Sequence, residues 1–208
     1  MTFTFTSGLR NRISTNLNEF ERYILAGEEY RHAAVALIIT PPKKAGDDAC
    51  MLLTRRTSKL NKHAGQWALP GGRVDDGETA YEAAIRETDE EVGLKLRDEH
   101  FLGQLDDLAT KSNFIMQPFV FWLEDLSELS PNPDEVASIH YWPISFFQDE
   151  NAIQLIDQEE GHAPLLRLNW GSTRIHAPTG AVLLQLWEAG ILGQESRVNH
   201  YAHPNWAK

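Results

Sequence analysis

Three glutamates, Glu87, Glu90 and Glu91, stand at i, i+3 and i+4 in the stretch "RETDEEVG". On a helix that spacing brings three carboxylates to one face. Like charges held so close repel each other and resist ionisation. Two readings fit: a solvated acidic face, or a site for magnesium or manganese, which take oxygen ligands. The acids lie toward the helix C-terminus, the disfavoured end for anions, so a cation would offset both the dipole and the repulsion. Arg86 adjoins them, with Glu82, Glu90 and, if the preceding loop folds back, Glu78 as partners. Asp89 falls off that face.

The helix that must carry these residues spans 78–93. Thr79 is its N-cap, Glu82 stands three positions on, and Gly93 closes it. Ala80, Ala84, Thr88 and Val92 form a stripe at spacing four, which is expected to pack on a sheet opposite the acids. "AAVALII" (33–39) reads as a buried strand and "ACMLLTRR" as its hairpin partner. From Thr57 to Gly77 the periodicity gives way to a structured loop with a short strand near Trp67. "HFLGQLDDLAT", "FIMQPFVFWLE" and "VASIHYWPIS" read as strands. "LNEFERYILAG", "ISFFQDENAIQLIDQ" and residues 179–191 read as helices. The chain divides into an N-terminal extension (1–30), one domain (31–192) and a tail (193–208). Strands in the middle with helices around them predict an α/β/α sandwich with a mixed central sheet.

The chain has 208 residues and a formal net charge of -11. That acidity argues against nucleic acid or an anionic membrane as partner and leaves a small molecule. An anionic small molecule would need local positive charge or bound metal. The lone cysteine, Cys50, allows no intrachain disulfide and no cysteine metal cluster, so the cytoplasm is the expected compartment. No run approaches the roughly 20 apolar residues of a membrane span. The oligomeric state, a homodimer included, is open.

Gly72, Glu78, Arg86, Glu87, Glu90, Glu91, Gly93 and Leu94, within "GRVDDGETAYEAAIRETDEEVGL", resemble the full signature of the Nudix hydrolase family. Thr88 departs from it, standing where an aliphatic residue is usual. The resemblance implies cleavage of a diphosphate linked to another moiety, with Mg2+ or Mn2+ as cofactor. It implies metal ligation by Glu87, Glu90, Glu91 and the Gly72 carbonyl, with Glu90 and Glu91 also catalytic. Glu78 and Arg86 match the pair that fixes loop to helix. Which glutamate handles the attacking water is open. A binding module that had kept the fold and lost the chemistry would show a broken glutamate set, and this set is complete.

The stretch "LLTRRTSKLNKHAGQWALPGG" (52–72) resembles the extra motif of the family's coenzyme A diphosphatase branch, and Thr110, Ser112, Phe114 and Pro118 add a second local match. The implied substrate is coenzyme A or acyl-CoA, giving 3',5'-ADP and (acyl-)4'-phosphopantetheine. The alternative is another nucleoside diphosphate derivative, ADP-ribose or an NDP-sugar. Asn61, Trp67, Leu69, Asn113 and the long "STRIHAPTGAVLLQL" segment depart from the branch. Arg55, Arg56, Lys59, Lys62 and His63 gather positive charge suited to phosphates. Strand alternation turns one of Arg55 and Arg56 outward, and His63 is equally readable as a structural loop residue. The amides of Gly71 and Gly72 add donors. Trp67 reads as packing before it reads as an adenine platform. Glu135 in "PNPDEV" is either a solvated turn acid or an accessory acid facing the helix. Asp106 and Asp107 have less support in that role.

Overall fold

The computed structural model describes residues 2–27, 29–44, 48–59, 64–158 and 163–201. In chain order its elements are α1 (Ser7–Glu19), β1 (Arg31–Thr40), β2 (Cys50–Arg56), β3 (Trp67–Ala68), β4 (Gly71–Arg73), α2 (Ala80–Val92), β5 (Phe101–Gln104), β6 (Leu108–Ala109), β7 (Phe114–Trp122), β8 (Val136–Pro143), β9 (Ile153–Ile156), β10 (Leu165–Trp170), β11 (Thr173–His176) and α3 (Thr179–Gln185). The unbroken apolar run of β1 is explained by its two buried faces. Val35, Leu37 and Ile39 join one core with α1 and α3. Ala34, Ala36 and Ile38 join the other with Ala83, Ala84 and Val92 of α2. The result is an α/β/α sandwich. Its central sheet is mixed, because β1 runs parallel to β7 and antiparallel to β2 and β4.

One edge of β1 is shared between two partners. Ile39 and Thr40 pair with Met51 and Cys50, while Ala33, Ala34 and Val35 pair with Arg73, Gly72 and Gly71. Gly71 has φ 150°, and a Cβ there would lie 2.2 Å from the Ala34 carbonyl oxygen. Only glycine permits so close an approach. β1 thereby holds the glycine strand, β4, against the sheet, beside α2.

Several elements differ from the sequence expectation. The N-terminal helix is Ser7–Glu19, capped by Thr6, and does not run to Gly27. Its buried stripe is Leu9, Ile13 and Leu17. Residues 20–27 instead form an irregular strap, with the Tyr23 and Leu25 amides donating to Asp106 (2.6 Å) and Asp107 (3.1 Å). The same two aspartates interrupt the expected strand 100–110, which splits into β5 and β6. They serve the fold and do not line the cleft described below. The expected helix after Pro143 is a short 3-10 turn, Ile144–Gln148, followed by strand β9. Asp149 breaks it by accepting from the amides of Asn151 and Ala152. β9 then pairs with β10, and β10 with β11, making a second, three-stranded antiparallel sheet. The C-terminal helix covers the expected span, its second half, Leu186–Ile191, widened to a π-helix. No helix among the described residues is long and apolar enough to cross a membrane.

Candidate active site

The ends of α2 are fixed locally. The Thr79 hydroxyl accepts from the Glu82 amide (3.2 Å), and the Glu82 carboxylate accepts from the Thr79 amide (2.8 Å). Gly93 takes the left-handed conformation at φ 73° and donates to the Asp89 carbonyl. Thr88 is fully buried, and its hydroxyl donates to the Ala84 carbonyl at 2.7 Å. The hydroxyl is thus satisfied within the helix while the methyl packs. Beyond the helix, the Ser130 and Asn132 amides donate to the Val92 and Glu91 carbonyls, which docks the 130–135 loop on the helix end.

Glu82 is committed to the cap, so Arg86 takes the loop acid instead. Its guanidinium meets Glu78 as a two-pronged fork, Nε to Oε1 at 2.8 Å and Nη2 to Oε2 at 3.0 Å. It also donates to the Arg73 carbonyl, Glu87 (3.0 Å) and Glu90 (3.2 Å). The fork holds the Glu78 carboxyl below its usual range and raises Arg86 further. The loop is thereby clasped to the helix.

The three helix glutamates do not share one solvent face. Glu90 is exposed, while Glu91 is only 2% exposed and belongs to the buried stripe. At about 100° per residue Glu91 sits about 40° from Glu87 and about 60° from Thr88. The sheet therefore covers it. Its Oε1 accepts from Arg56 Nη1 at 3.2 Å and its Oε2 from the Gly71 amide at 3.2 Å. Burial pushes its carboxyl up to about 7; Arg56 and the Gly71 amide oppose this, and the charges of Glu135 and Glu87 reinforce it. Burial also raises Glu87, with Glu90 and Glu135 adding to the rise. A Cβ on Gly72 would lie 2.3 Å from the Glu87 carboxyl carbon, so glycine is what lets that carboxylate rest over the backbone.

A cleft of about 680 Å³ opens beside this group. Arg56, Trp67, Gly71 and Gly72 line it, as do residues 110–112 and 174–179. Arg56 is the inward member of its pair. The register between β2 and β8 slips at Arg55/Arg56, and Arg55 is exposed, donating to the Gly65 carbonyl. Lys59 forms a surface pair with Asp134 at 3.8 Å. Neither Arg55 nor Lys59 lines the cleft. Lys62 and His63 lie outside the described residues. Trp67 packs edge-on against His140 at 4.4 Å and still forms part of the wall. Lys111, Arg174 and His176 were not singled out from sequence, yet all three line the cleft. The alternation of "TRIH" was the available signal, and it gains meaning only once β11 pairs with β10.

Residues 30–168 match the NUDIX domain family model. The chain belongs to the Nudix family. It is 39% identical over 114 residues to the uncharacterized Nudix hydrolase NudL of Yersinia enterocolitica and 42% identical over 117 residues to NudL of Photorhabdus laumondii. These alignments cover 54% and 55% of this chain and 56% and 60% of the relatives. The chain thus spans little more than half the length of the curated relatives it matches. Nudix hydrolase 3 of Caenorhabditis elegans is 34% identical over 124 residues, 58% of this chain and 51% of that protein.

Nudix hydrolases generally use divalent metal ions. Among the described residues no three His, Cys, Asp or Glu side chains converge on one point as ligands, and Arg86 and Arg56 hydrogen-bond to the three helix glutamates. The donor chemistry nevertheless fits such an ion. Glu91 is buried and Glu87 half-buried, each raised by burial and further by Glu135, and the Gly72 cradle lets the Glu87 carboxylate rest over the backbone. Hard carboxylate oxygens crowded in this way suit magnesium or manganese.

Proposed function

We propose that this Nudix chain hydrolyses a diphosphate linkage with Mg2+ or Mn2+, and that its substrate is coenzyme A or acyl-CoA, yielding 3',5'-ADP and (acyl-)4'-phosphopantetheine. The observation that carries the reading is the mutually repelling pair of half-buried Glu87 and buried Glu91 beside a cleft of about 680 Å³. Glu87, Glu90, Glu91 and the Gly72 carbonyl would hold the metal. When bound, the ion neutralises phosphate charge, polarises a phosphoryl oxygen and lowers the pKa of a coordinated water. Glu90 or Glu91 takes the proton of the attacking water as a phosphorus–oxygen bond of the diphosphate bridge breaks. Glu78 and Arg86 keep the glycine loop at a fixed height over α2. Arg56 orients Glu91 and brings positive charge to the cleft wall. Glu135, docked on the helix end, serves as an accessory acid.

The coenzyme A assignment is supported by the cleft's apolar side chains, Val35, Leu69, Met116 and Ile175, which suit a pantetheine arm. The buried, lone Cys50 supports a reducing compartment, the cytoplasm. The test is metal-dependent hydrolysis of coenzyme A, acyl-CoA, ADP-ribose, nucleoside diphosphate sugars and dinucleoside polyphosphates. Preferred cleavage of coenzyme A to 3',5'-ADP supports the assignment. Turnover of ADP-ribose without turnover of coenzyme A sinks it.

A further inference from the structure

A second hollow, of about 630 Å³, lies beyond the glycine strand. Gly71 and Gly72 line the first cleft; Arg73 and Val74, next in the chain, line this hollow together with Arg31, His32 and Phe114. Sheet pairing brings its two arginines together. Arg31 is opposite Phe114 on β7, and Ala33, two residues along β1, is opposite Arg73 on β4. Both guanidiniums lie over the Phe114 ring, at 4.2 and 5.5 Å from its centroid. A guanidinium stacked on a ring is held in orientation and presents its N–H edge to an anion.

Neither guanidinium pairs with a carboxylate among the described residues, although Arg31 donates to the Ser112 carbonyl at 3.0 Å. Three acids of the loop after β4 also line the hollow. Glu78 and Asp75 are engaged by Arg86, at 2.8 and 3.8 Å, and Asp76 is exposed. The β-strand wall is therefore positive, beside a centre rich in acids. Two stacked cations of like sign gain most from a shared anion.

We infer that Arg31 and Arg73 bind an anionic group, a phosphate monoester or a carboxylate, that the substrate carries beyond the diphosphate being cleaved. This rests on the diphosphatase reading of the site. The substrate then straddles β4, its diphosphate at Gly72, its second anion in the hollow and its uncharged arm in the apolar cleft. For coenzyme A this places the 3'-phosphate over Arg31 and Arg73 and the pantetheine arm beside Met116 and Ile175.

Two measurements on the full chain test it. The first is binding of adenosine 3',5'-bisphosphate against AMP by calorimetry, which does not depend on turnover. The wild type should prefer the bisphosphate by at least about tenfold, and Arg31→Gln/Arg73→Gln should bring the two within about twofold. The second is kcat/KM for coenzyme A against dephospho-coenzyme A. The double variant should lose at least about tenfold on the former and less than about twofold on the latter. Arg31→Lys/Arg73→Lys should restore part of the preference, which a mere folding defect would not permit. Equal binding of the two nucleotides by the wild type, or equal losses on both substrates, overturns the inference. If the bisphosphate preference holds but coenzyme A is not cleaved, the coenzyme A assignment fails and the anion subsite stands.

Discussion

Arg86 and Arg56 both meet glutamates of α2, one near the surface and one in the interior. Arg86 grips Glu78 with a fork and reaches Glu87 and Glu90 besides, in a setting where water still touches every partner. Arg56 offers Glu91 one contact at 3.2 Å, and that carboxylate's side chain is only 3% exposed. The surface node is saturated with partners. The interior node is short of them, since one guanidinium contact and one amide face the charges of Glu87, Glu91 and Glu135. Order and reactivity are thus divided between two arginines only 30 residues apart: the first fixes the loop, and the second leaves charge for a cation to balance.

The sharpest test of that division is Glu91→Gln. Turnover should fall at least about a hundredfold, while the metal-free fold above about pH 7 should not weaken, because the amide oxygen can still accept from Arg56 and the ionisation that burial penalises is gone. Unchanged turnover would take Glu91 out of the chemistry. In EDTA the wild type should also show a pH signature. Below about 4.5 the Glu91 carboxyl is neutral in both the folded and the unfolded chain. Between there and about 7 the unfolded chain releases the proton and the folded one keeps it, so stability falls as pH rises, and the full penalty stands above that. The loss is on the order of 3 kcal/mol at most, and melting curves of Glu91→Gln should lack this slope.

The adjacent glycines separate fold from function. In Gly71→Ala the new Cβ strikes the Ala34 carbonyl and the Val35 Cα, both backbone, so more than about 2 kcal/mol of stability should be lost. In Gly72→Ala the three atoms nearest the new Cβ all belong to the movable carboxylate of Glu87. That variant should melt within about 1 kcal/mol of the wild type and still lose about tenfold or more in turnover. A Gly72→Ala enzyme of full activity would show that Glu87 need not lie over the glycine. Arg86→Lys should cost about tenfold in turnover and less than about 1 kcal/mol in stability, because lysine cannot form the fork on Glu78. Lys59→Ala, at an exposed pair outside the cleft lining, should change kcat/KM by less than about twofold. A larger effect would return that loop to the substrate site.

What the sequence disclosed was chiefly local. The Thr79 cap, Glu82 and Gly93 act within one helix, so their roles could be read from spacing alone. Strand alternation required that one of Arg55 and Arg56 turn outward, but only the slipped pairing with β8 shows which. The inward position of Glu91 depends on a sheet that arrives from distant segments, so a helix taken alone puts it in water. The three-stranded sheet was missed for a similar reason. Its strands are four to six residues long and become recognisable only through one another. The stripe Leu9, Ile13 and Leu17 was visible at spacing four, yet the more apolar run after it drew the helix too far along the chain.

The family match begins at residue 30, but the packing does not. Phe3, Leu9, Ile13 and Leu17 are buried in the larger core, and a Cβ on Gly103 would press within 2.6 Å of Leu17. An expression fragment begun at residue 30, the start of the family match, would strip α1 from β5 and from the C-terminal helix. It would also deprive Asp106 and Asp107 of the Tyr23 and Leu25 amides. Such a fragment would keep every signature residue and yet expose an apolar floor and two under-bonded acids, a recipe for insoluble material rather than a minimal enzyme.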